Sequence, residues 1–261
     1  NKVLFSLFTR YGDTIIDLVI IKEFIEYNPD KEYLILCPRQ MQPYANELLP
    51  DIKCIALNKR NLFDMFKINQ KLKKWKPDVG FNPWSNGLDS CYFITYCRIF
   101  FCYKDFDRPD VINHYQVVRR YLQLPEQEWR IDELVLKQDY KKILVCPQST
   151  DLSRAISGVK LDKLIFDLND KYQNPEITIA SMDKSHFRNK CNYFLFKKSA
   201  VSSHQFIDLV KQSDFVVSSD SGPLHIALAL GKDVLAFFCT TSPEIVVKSG
   251  SYLKVNSKYY A

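Results

Sequence analysis

The 261-residue sequence has eight cysteines but no Cys-x-x-Cys pair. Most of these cysteines lie within apolar segments, where a thiol behaves as a small buried hydrophobic group. The pattern therefore favours reduced thiols in a cytoplasmic protein and argues against a zinc site.

The sequence also lacks a hydrophobic run that could cross a membrane. Its longest apolar run, from Cys91 to Tyr103, is too short to span a bilayer and contains Arg98. Near the amino terminus, the apolar residues VLFSLF are followed at once by Thr9 and Arg10, which is not the pattern of a secretory signal. We expect a soluble protein that is at most peripheral on a membrane.

The chain has neither internal repeats nor low-complexity tracts, and its composition is that of a soluble protein with packed cores. Apolar residues make up 46% of it and charged residues 25%. The formal net charge is +6, from basic residues that are dispersed among many acids. A phosphorylated substrate or an anionic membrane surface accounts for this charge as well as nucleic acid does, and we expect no nucleic-acid partner.

Strand-type and helix-type segments alternate along the chain, and the alternation begins again in its second half with the apolar run Ile143 to Cys146. Among the helix-type segments, Leu62 to Trp75 and Val111 to Leu122 are predicted helices. Two successive β/α series predict an α/β protein made of two Rossmann-like, doubly wound domains that face each other across a cleft. We predict the domains to be residues 1–137 and 138–261.

One short stretch, residues 213–239, has the pattern strand, tight loop, helix and strand. Such a βαβ unit presents backbone N–H groups at a helix amino terminus, which suits an anionic group such as a phosphate. Gly222 lets a ligand approach the backbone, Pro223 stands where a helix would begin, and His225 follows in the first turn.

The same stretch carries a resemblance to a known family. Its segment DSGPLHIALALGK, residues 220–232, resembles the Asp-Thr/Ser-Gly-x-x-His-x-Ala-x-Ala signature of glycosyltransferase family 9, the heptosyltransferase-like enzymes. The resemblance extends over essentially the whole chain and implies the GT-B fold, with an amino-terminal acceptor domain and a carboxyl-terminal nucleotide-sugar domain. The alternative is an ordinary βαβ unit in which Asp220 caps the helix and His225 faces it.

A second part of the resemblance lies at the amino terminus. KVLF followed by YGDTI is similar to the opening strand and Gly-Asp loop of the family, in which the aspartate is the proposed general base. The resemblance therefore implies that Asp13 is catalytic. The alternative is that Asp13 only caps a helix that begins at Thr14.

The segment from Gln148 to Arg154 resembles the donor-phosphate loop of the family. The resemblance implies that Ser149, Thr150 and Arg154 bind the nucleotide diphosphate together with Asp220, Ser221, Gly222 and His225. Arginine stands where the family usually has lysine, which keeps the charge and changes the geometry. The Trp-Pro pair that normally follows is replaced by Ile156 and Ser157.

The remaining site predictions concern the nucleoside and the acceptor. Asp183 falls where the family often has an acid near the ribose, and Val201 where a backbone group contacts the base. Two basic pairs in the first half could bind acceptor phosphates, with plain surface charge as the alternative: Lys59 with Arg60, and Arg119 with Arg120.

The resemblance implies an inverting transfer of a sugar, typically heptose from ADP-heptose, to a lipopolysaccharide-type acceptor at the cytoplasmic face of the inner membrane. Asp13 would accept the proton of the acceptor hydroxyl, and Arg154 with the N–H groups of Ser221 and Gly222 would stabilise the leaving diphosphate. Because no Asp-x-Asp pair lies in a plausible loop, we expect no essential metal and no cofactor besides the donor.

Two alternatives remain open from the sequence. An epimerase or hydrolase on the same fold would need a second acid or base near the anomeric carbon. A non-catalytic nucleotide-sugar-binding protein is also compatible with Ile156 and Ser157, and with the 31 residues after Leu230, where the family usually continues further.

Overall fold

The computed structural model describes residues 1–83, 92–102, 113–182 and 191–256. The chain divides into two compact units. Unit 1 comprises Asn1–Gln127 and Ser199–Val201, and unit 2 comprises Glu128–Lys198 and Ser202–Ala261.

Unit 1 contains a parallel five-stranded sheet in the order β3-β2-β1-β4-β5. The first strand lies in the middle of the sheet, and the chain moves first to one side of it and then to the other. The elements are β1 (Lys2–Ser6), α1 (Tyr11–Tyr27), β2 (Glu32–Pro38), α2 (Gln42–Leu48), β3 (Lys53–Leu57), α3 (Leu62–Trp75), β4 (Val79–Asn82), β5 (Ile99–Cys102) and α4 (His114–Tyr121).

Aromatic side chains form much of the core of unit 1. The ring of Phe5 on β1 lies 5.6 Å from that of Phe81 on β4 and 5.9 Å from that of Phe24 on α1. Gly80 is required beside this core, because a Cβ atom at that position would lie 2.5 Å from the Cys97 sulphur. These contacts hold α1 against the centre of the sheet, so that its first turn lies at the carboxyl end of β1.

Unit 2 contains a parallel seven-stranded sheet in the order β6-β12-β11-β10-β7-β8-β9. Its elements are β6 (Ile131–Glu133), β7 (Lys142–Cys146), α5 (Gly158–Lys171), β8 (Glu176–Ser181), β9 (Asn192–Leu195), α6 (Ala200–Gln212), β10 (Phe215–Ser219), α7 (Gly222–Ala229), β11 (Asp233–Phe237), α8 (Pro243–Val246) and β12 (Ser251–Asn256). The first two residues of α6, Ala200 and Val201, belong to unit 1.

The core of unit 2 explains one departure from the family pattern. Tyr140 stacks on Phe215 with ring centroids 4.5 Å apart, and Ile156 is buried in the same hydrophobic cluster. Ile156 is also fixed through its backbone, since its N–H donates to the Pro147 carbonyl over 2.8 Å. The isoleucine that replaces tryptophan therefore packs in the core and closes the loop that follows β7.

The prediction of two doubly wound Rossmann-like units is confirmed, but the structural boundary precedes the predicted one. Unit 2 begins at Glu128 rather than at residue 138. The physical reason is strand pairing, because β6 forms a parallel pair with β12, and the Trp129 indole N–H donates to the Val247 carbonyl over 3.0 Å. The acceptor and donor roles of the two domains remain predictions.

The sequence pattern located most helices and the central strands. It predicted α3 with the correct ends, Leu62 to Trp75, and the structure ends that helix at Lys76 in a left-handed conformation. The helix predicted from Val111 to Leu122 is described from His114 to Tyr121, and Val111 lies outside the described residues. Strands β5, β6, β9 and β12 were not predicted.

Within the described ranges, no helix is long and apolar enough to cross a membrane. Six cysteines in those ranges are free thiols: Cys37, Cys54, Cys97, Cys146, Cys191 and Cys239.

Candidate functional site

The loops that could bind a ligand in unit 2 meet where the strand order reverses. Strand β7 lies between β10 and β8, so the chain leaves neighbouring strands β7 and β10 in opposite directions. Open α/β sheets bind ligands at this switch point, outside the carboxyl ends of the strands. The loop after β10 is tied to the loop after β7, since the Ser219 hydroxyl donates to the Gln148 carbonyl over 3.1 Å.

An ion pair connects the same two loops. A single 3-10 turn, Leu152–Arg154, begins at Asp151, whose carboxylate accepts from the Ser153 N–H over 3.0 Å. The turn directs Arg154 Nη1 to Asp220 Oδ2, 3.1 Å away. The Asp220 side chain is only 2% exposed, whereas that of Arg154 is 25% exposed. Since a guanidinium has five N–H donors, Arg154 can hold Asp220 and bind an external anion at the same time.

Helix α7 begins beside this ion pair. Ser221 is its N-cap residue, Gly222 its first residue, and Pro223 follows in the first turn, where its missing N–H costs no helical bond. The N–H groups of Ser221 and Gly222 donate no hydrogen bond within the part of the chain that the structure describes. Two such N–H groups at a helix amino terminus, next to an arginine, have the charge and the donors that suit an anion. The alternative that Asp220 caps the helix is wrong.

Hydroxyl groups surround this amino terminus. Ser149 is buried and its Oγ accepts from the Asp151 N–H over 3.4 Å, while Thr150 is exposed. The hydroxyls of Ser153 and Thr240 lie 3.5 Å apart, which brings the loop after β11 to the same edge. The predicted residues Ser149, Arg154, Asp220, Ser221 and Gly222 are thus brought together by the fold.

Asp13 in unit 1 lies in the first turn of a helix and not in a loop. Helix α1 begins at Tyr11, three residues earlier than predicted, with Arg10 as its N-cap residue. The interpretation of Asp13 as a cap for a helix starting at Thr14 is therefore wrong, and so is its placement in a loop. Asp13 is half-buried in the first turn of α1, at the carboxyl edge of the sheet.

A second carboxylate follows Asp13 one helical turn later. Asp17 is completely buried, and neither of its carboxylate oxygens has a hydrogen-bond partner in the described part of the chain. Burial and, to a smaller extent, the negative charge of Asp13 raise the pKa of Asp17 well above its ordinary value. Burial therefore disfavours the charged form of Asp17, which lies one helical turn after Asp13.

The carboxyl-terminal part of the chain matches a family model. Residues 200–256, which include β10, α7 and β11, match the model of glycosyltransferase family 9 (heptosyltransferase). The resemblance to glycosyltransferase family 9 is confirmed. No curated protein matches the chain by sequence.

Solved structures with the same fold come from family 9. The chain is similar to the Escherichia coli heptosyltransferase WaaC with ADP, with a TM-score of 0.70 and 12% identity over 100% of this chain and 95% of that one. It is also similar to E. coli ADP-heptose lps heptosyltransferase II, with a TM-score of 0.72 and 14% identity over 98% and 90% of the two chains. For a family 9 protein from Veillonella parvula the TM-score is 0.72 at 12% identity, over 98% and 86%. The shared fold is that of the GT-B heptosyltransferases, and family and fold together support a glycosyltransferase.

Three predicted donor residues of the family 9 pattern are not brought into the Arg154–Asp220 group by any described contact. His225 is buried in α7 and has an interaction with another group. Val201 lies in the first turn of α6 with an exposed side chain. Asp183 lies outside the described residues. The predicted roles of these three residues stay predictions.

The basic pairs that were predicted to bind acceptor phosphates have different environments. Arg119 is buried, forms an ion pair with Glu23 and donates to the Pro125 carbonyl over 2.8 Å, so it joins α4 to α1 and is not available to a phosphate. Arg120 pairs with Glu126 over 2.9 Å.

The other pair lies at the carboxyl edge of the sheet. The Lys59 ammonium lies 5.1 Å from the centre of the Phe8 ring, just after β1, and Arg60 is exposed. Of the four residues predicted to bind the acceptor, these two are accessible at the edge that also carries Asp13.

Reasoning from the sequence missed three residues at the switch point of unit 2. Gln148 and Ser219 hold the two loops together, and the Thr240 hydroxyl lies 3.5 Å from that of Ser153. Their position was the available signal, because each lies at or just after the end of a parallel strand, where such sheets bind ligands.

Proposed function

We propose that this protein is an inverting glycosyltransferase that moves a sugar from a nucleotide diphosphate sugar to a lipopolysaccharide or related surface-glycan acceptor. The observation that carries the proposal lies at the switch point of the sheet in unit 2. There the Arg154 guanidinium contacts Asp220, the residue before Ser221 and Gly222, whose N–H groups donate no hydrogen bond among the described residues.

The geometry of that site fits a departing diphosphate. In the reaction, the bond between the anomeric carbon and the diphosphate oxygen breaks, and the nucleoside diphosphate leaves with the electron pair. The developing negative charge is stabilised by fixed N–H dipoles and a guanidinium, which require no reorganisation at the moment of reaction. The buried Asp220 holds Arg154 in position, so the guanidinium is already oriented before the donor binds.

The acceptor side of the reaction would use Asp13. The acceptor oxygen forms the new bond to the anomeric carbon and loses its proton to the Asp13 carboxylate, which must be ionised to accept it. Asp13 lies in the first turn of α1, at the positive end of the helix dipole. Attack from the face opposite the leaving diphosphate inverts the anomeric centre.

The neighbour structures support ADP-heptose as the donor, because E. coli WaaC has been solved with ADP and with ADP-2-deoxy-2-fluoro heptose. Metal independence belongs to the proposal as well. Among residues 1–83, 92–102, 113–182 and 191–256, no group of three or more histidine, cysteine, aspartate or glutamate side chains could hold a metal ion. The acceptor class implies that the protein works in the cytoplasm, at the inner face of the membrane.

A direct test combines donor binding with product analysis. The purified protein is screened by thermal shift against ADP-, GDP-, UDP- and CMP-sugars, because a ligand that binds only the native state raises the melting temperature. The best donor is then incubated with lipopolysaccharide-core acceptors, and products are identified by mass spectrometry. We expect ADP-sugars to bind and the acceptor to gain one sugar. Tight donor binding without transfer to any acceptor would instead indicate a nucleotide-sugar-binding protein.

A further inference from the structure

Helix α3 exposes large apolar side chains to solvent. Leu62 is 85% exposed, Phe63 61% and Phe66 62%. Successive residues of a helix lie about 100° apart, so these three residues occupy one side of α3. The opposite side carries Ile68 and Leu72, which are buried in the core of unit 1. The exposed apolar side is therefore a second hydrophobic face, and the core does not use it.

Lysines share that exposed side. Viewed along the helix axis, at about 100° per residue, Lys67, Lys73 and Lys74 lie on the same side of α3 as the three apolar residues, and all three lysines are exposed. Lys73 and Lys74 follow Phe66 about two turns later along the helix. The Lys67 ammonium lies 4.1 Å from the centre of the Phe63 ring. We call the six residues Leu62, Phe63, Phe66, Lys67, Lys73 and Lys74 the α3 face.

The segment around this face carries the net charge of the whole chain. Residues 59–76 contain seven of the 36 basic residues and one of the 30 acidic residues, so their net charge of +6 equals that of the protein. The single acid, Asp64, is neutralised by Arg39 over 2.9 Å. On the neighbouring Lys71, burial and the nearby Lys53 ammonium lower the pKa, as expected where cations are crowded together.

We propose that the α3 face docks onto an anionic lipid bilayer. Leu62, Phe63 and Phe66 enter the boundary between headgroups and acyl chains, and the lysines contact lipid phosphates. Surface-binding amphipathic helices combine aromatic and leucine side chains with lysine in this way. Nucleic acid would also attract the lysines, but it offers no apolar layer for the three exposed hydrophobic side chains.

The position of the α3 face fits the acceptor that the proposed function requires. Helix α3 begins just after β3, at the carboxyl edge of the parallel sheet in unit 1, and α1 begins with Asp13 at the same edge. A bilayer at the first turn of α3 would bring a membrane-embedded glycolipid to the edge that carries the candidate base. The inference rests on the proposed function for this purpose only, because lipid binding can be measured without sugar transfer.

The test is co-sedimentation of the full chain with vesicles, in the absence of donor and acceptor. One vesicle type contains phosphatidylglycerol and phosphatidylcholine in equal parts, and the other contains phosphatidylcholine alone. The variants are Phe63→Ser with Phe66→Ser, and Lys73→Gln with Lys74→Gln. Matched controls in unit 2 are Phe166→Ser, where the side chain is 71% exposed on α5, and Lys197→Gln with Lys198→Gln, which are also exposed.

We expect wild type and both controls to bind the anionic vesicles, with affinity that falls as salt is added, and not the neutral ones. The lysine variant should lose about fivefold in affinity per charge removed, and the phenylalanine variant should lose binding to the same vesicles while melting like wild type. Equal binding by all variants, or no binding by wild type, would overturn the proposal. So would binding of a labelled oligonucleotide that depends on the lysines and not on the phenylalanines.

The proposed function can fail separately from this inference. Transfer to a soluble, short acceptor should be the same for wild type and for the Phe63→Ser, Phe66→Ser variant. If neither protein transfers sugar but wild type still binds anionic vesicles, membrane docking through the α3 face is supported and the proposed function is refuted. If both transfer sugar and neither binds vesicles, only the membrane-docking proposal is refuted.

Discussion

Arg154 Nη1 lies 3.1 Å from Asp220 Oδ2, and this contact joins the loop after β7 to the loop after β10. Because the carboxylate is buried, the arginine is needed to pair with Asp220, and in the proposed function it also presents its remaining N–H groups to the donor diphosphate. Substitution of Arg154 therefore changes both stability and ligand affinity, and experiments must separate the two.

Arg154→Ala should lower the free energy of unfolding by about 3 kcal/mol, because it leaves a buried, uncompensated carboxylate. The double variant Arg154→Ala, Asp220→Asn should recover much of that loss, since the charge is then gone. Chemical denaturation of the four proteins of this cycle measures the coupling. A loss in the double variant that equals the sum of the two single losses would show that the pair contributes no coupling.

The effect of Arg154 on nucleotide affinity is best measured in proteins that already carry Asp220→Asn, because no buried carboxylate is then left unpaired. Adding Arg154→Ala to Asp220→Asn should weaken nucleotide diphosphate binding by about 1.5–3 kcal/mol, the contribution of a hydrogen bond to a charged group. Calorimetric titration of the two proteins with the same nucleotide gives this difference. If the dissociation constants agree, Arg154 does not bind the diphosphate.

Asp17 should make the protein less stable as pH rises. Its pKa is raised in the folded state, so the folded protein binds the proton more tightly than the unfolded chain, whose aspartate has a pKa of about 3.9. The contribution of Asp17 to the free energy of unfolding is therefore fully present below that value, and it is lost as the pH rises towards the folded-state pKa.

Asp17→Asn removes the titrating group and keeps its size. Relative to wild type, we expect the variant to gain up to about 1.4 kcal/mol per pH unit above the unfolded pKa. The exposed Asp170→Asn serves as control. Denaturation curves from acidic to neutral pH that run parallel for wild type and Asp17→Asn would contradict this account.

Sugar transfer should not require a divalent metal. The proposed stabilisation of the leaving group comes from a guanidinium and backbone N–H groups, so treatment with EDTA should leave the initial rate unchanged. Activity that disappears with EDTA and returns with magnesium would refute metal independence.

The sequence predicted the β/α order, helix α3 and the loops that meet at the switch point of unit 2, because apolar periodicity and turn residues act locally. It misplaced the start of α1, since Arg10 caps that helix without any side-chain hydrogen bond. It misplaced the unit boundary because β6 is a three-residue strand that depends on pairing with β12. It treated Arg119 as a surface cation, because its partners Glu23 and Pro125 lie on other segments of the chain, so that the local pattern does not show the burial.

The measurement that tests the central claim most directly is the activity of Asp13→Asn. Loss of a general base lowers the rate by about 10²–10⁴-fold. Asp13 is not the helix cap, and losing its interaction with the helix dipole costs only about 0.3–1 kcal/mol, so folding should change little. We predict that transfer collapses while nucleotide affinity and melting temperature stay near wild type. Transfer at the wild-type rate, or a loss of activity that only follows a loss of folded protein, would contradict the assignment of Asp13 as the catalytic base.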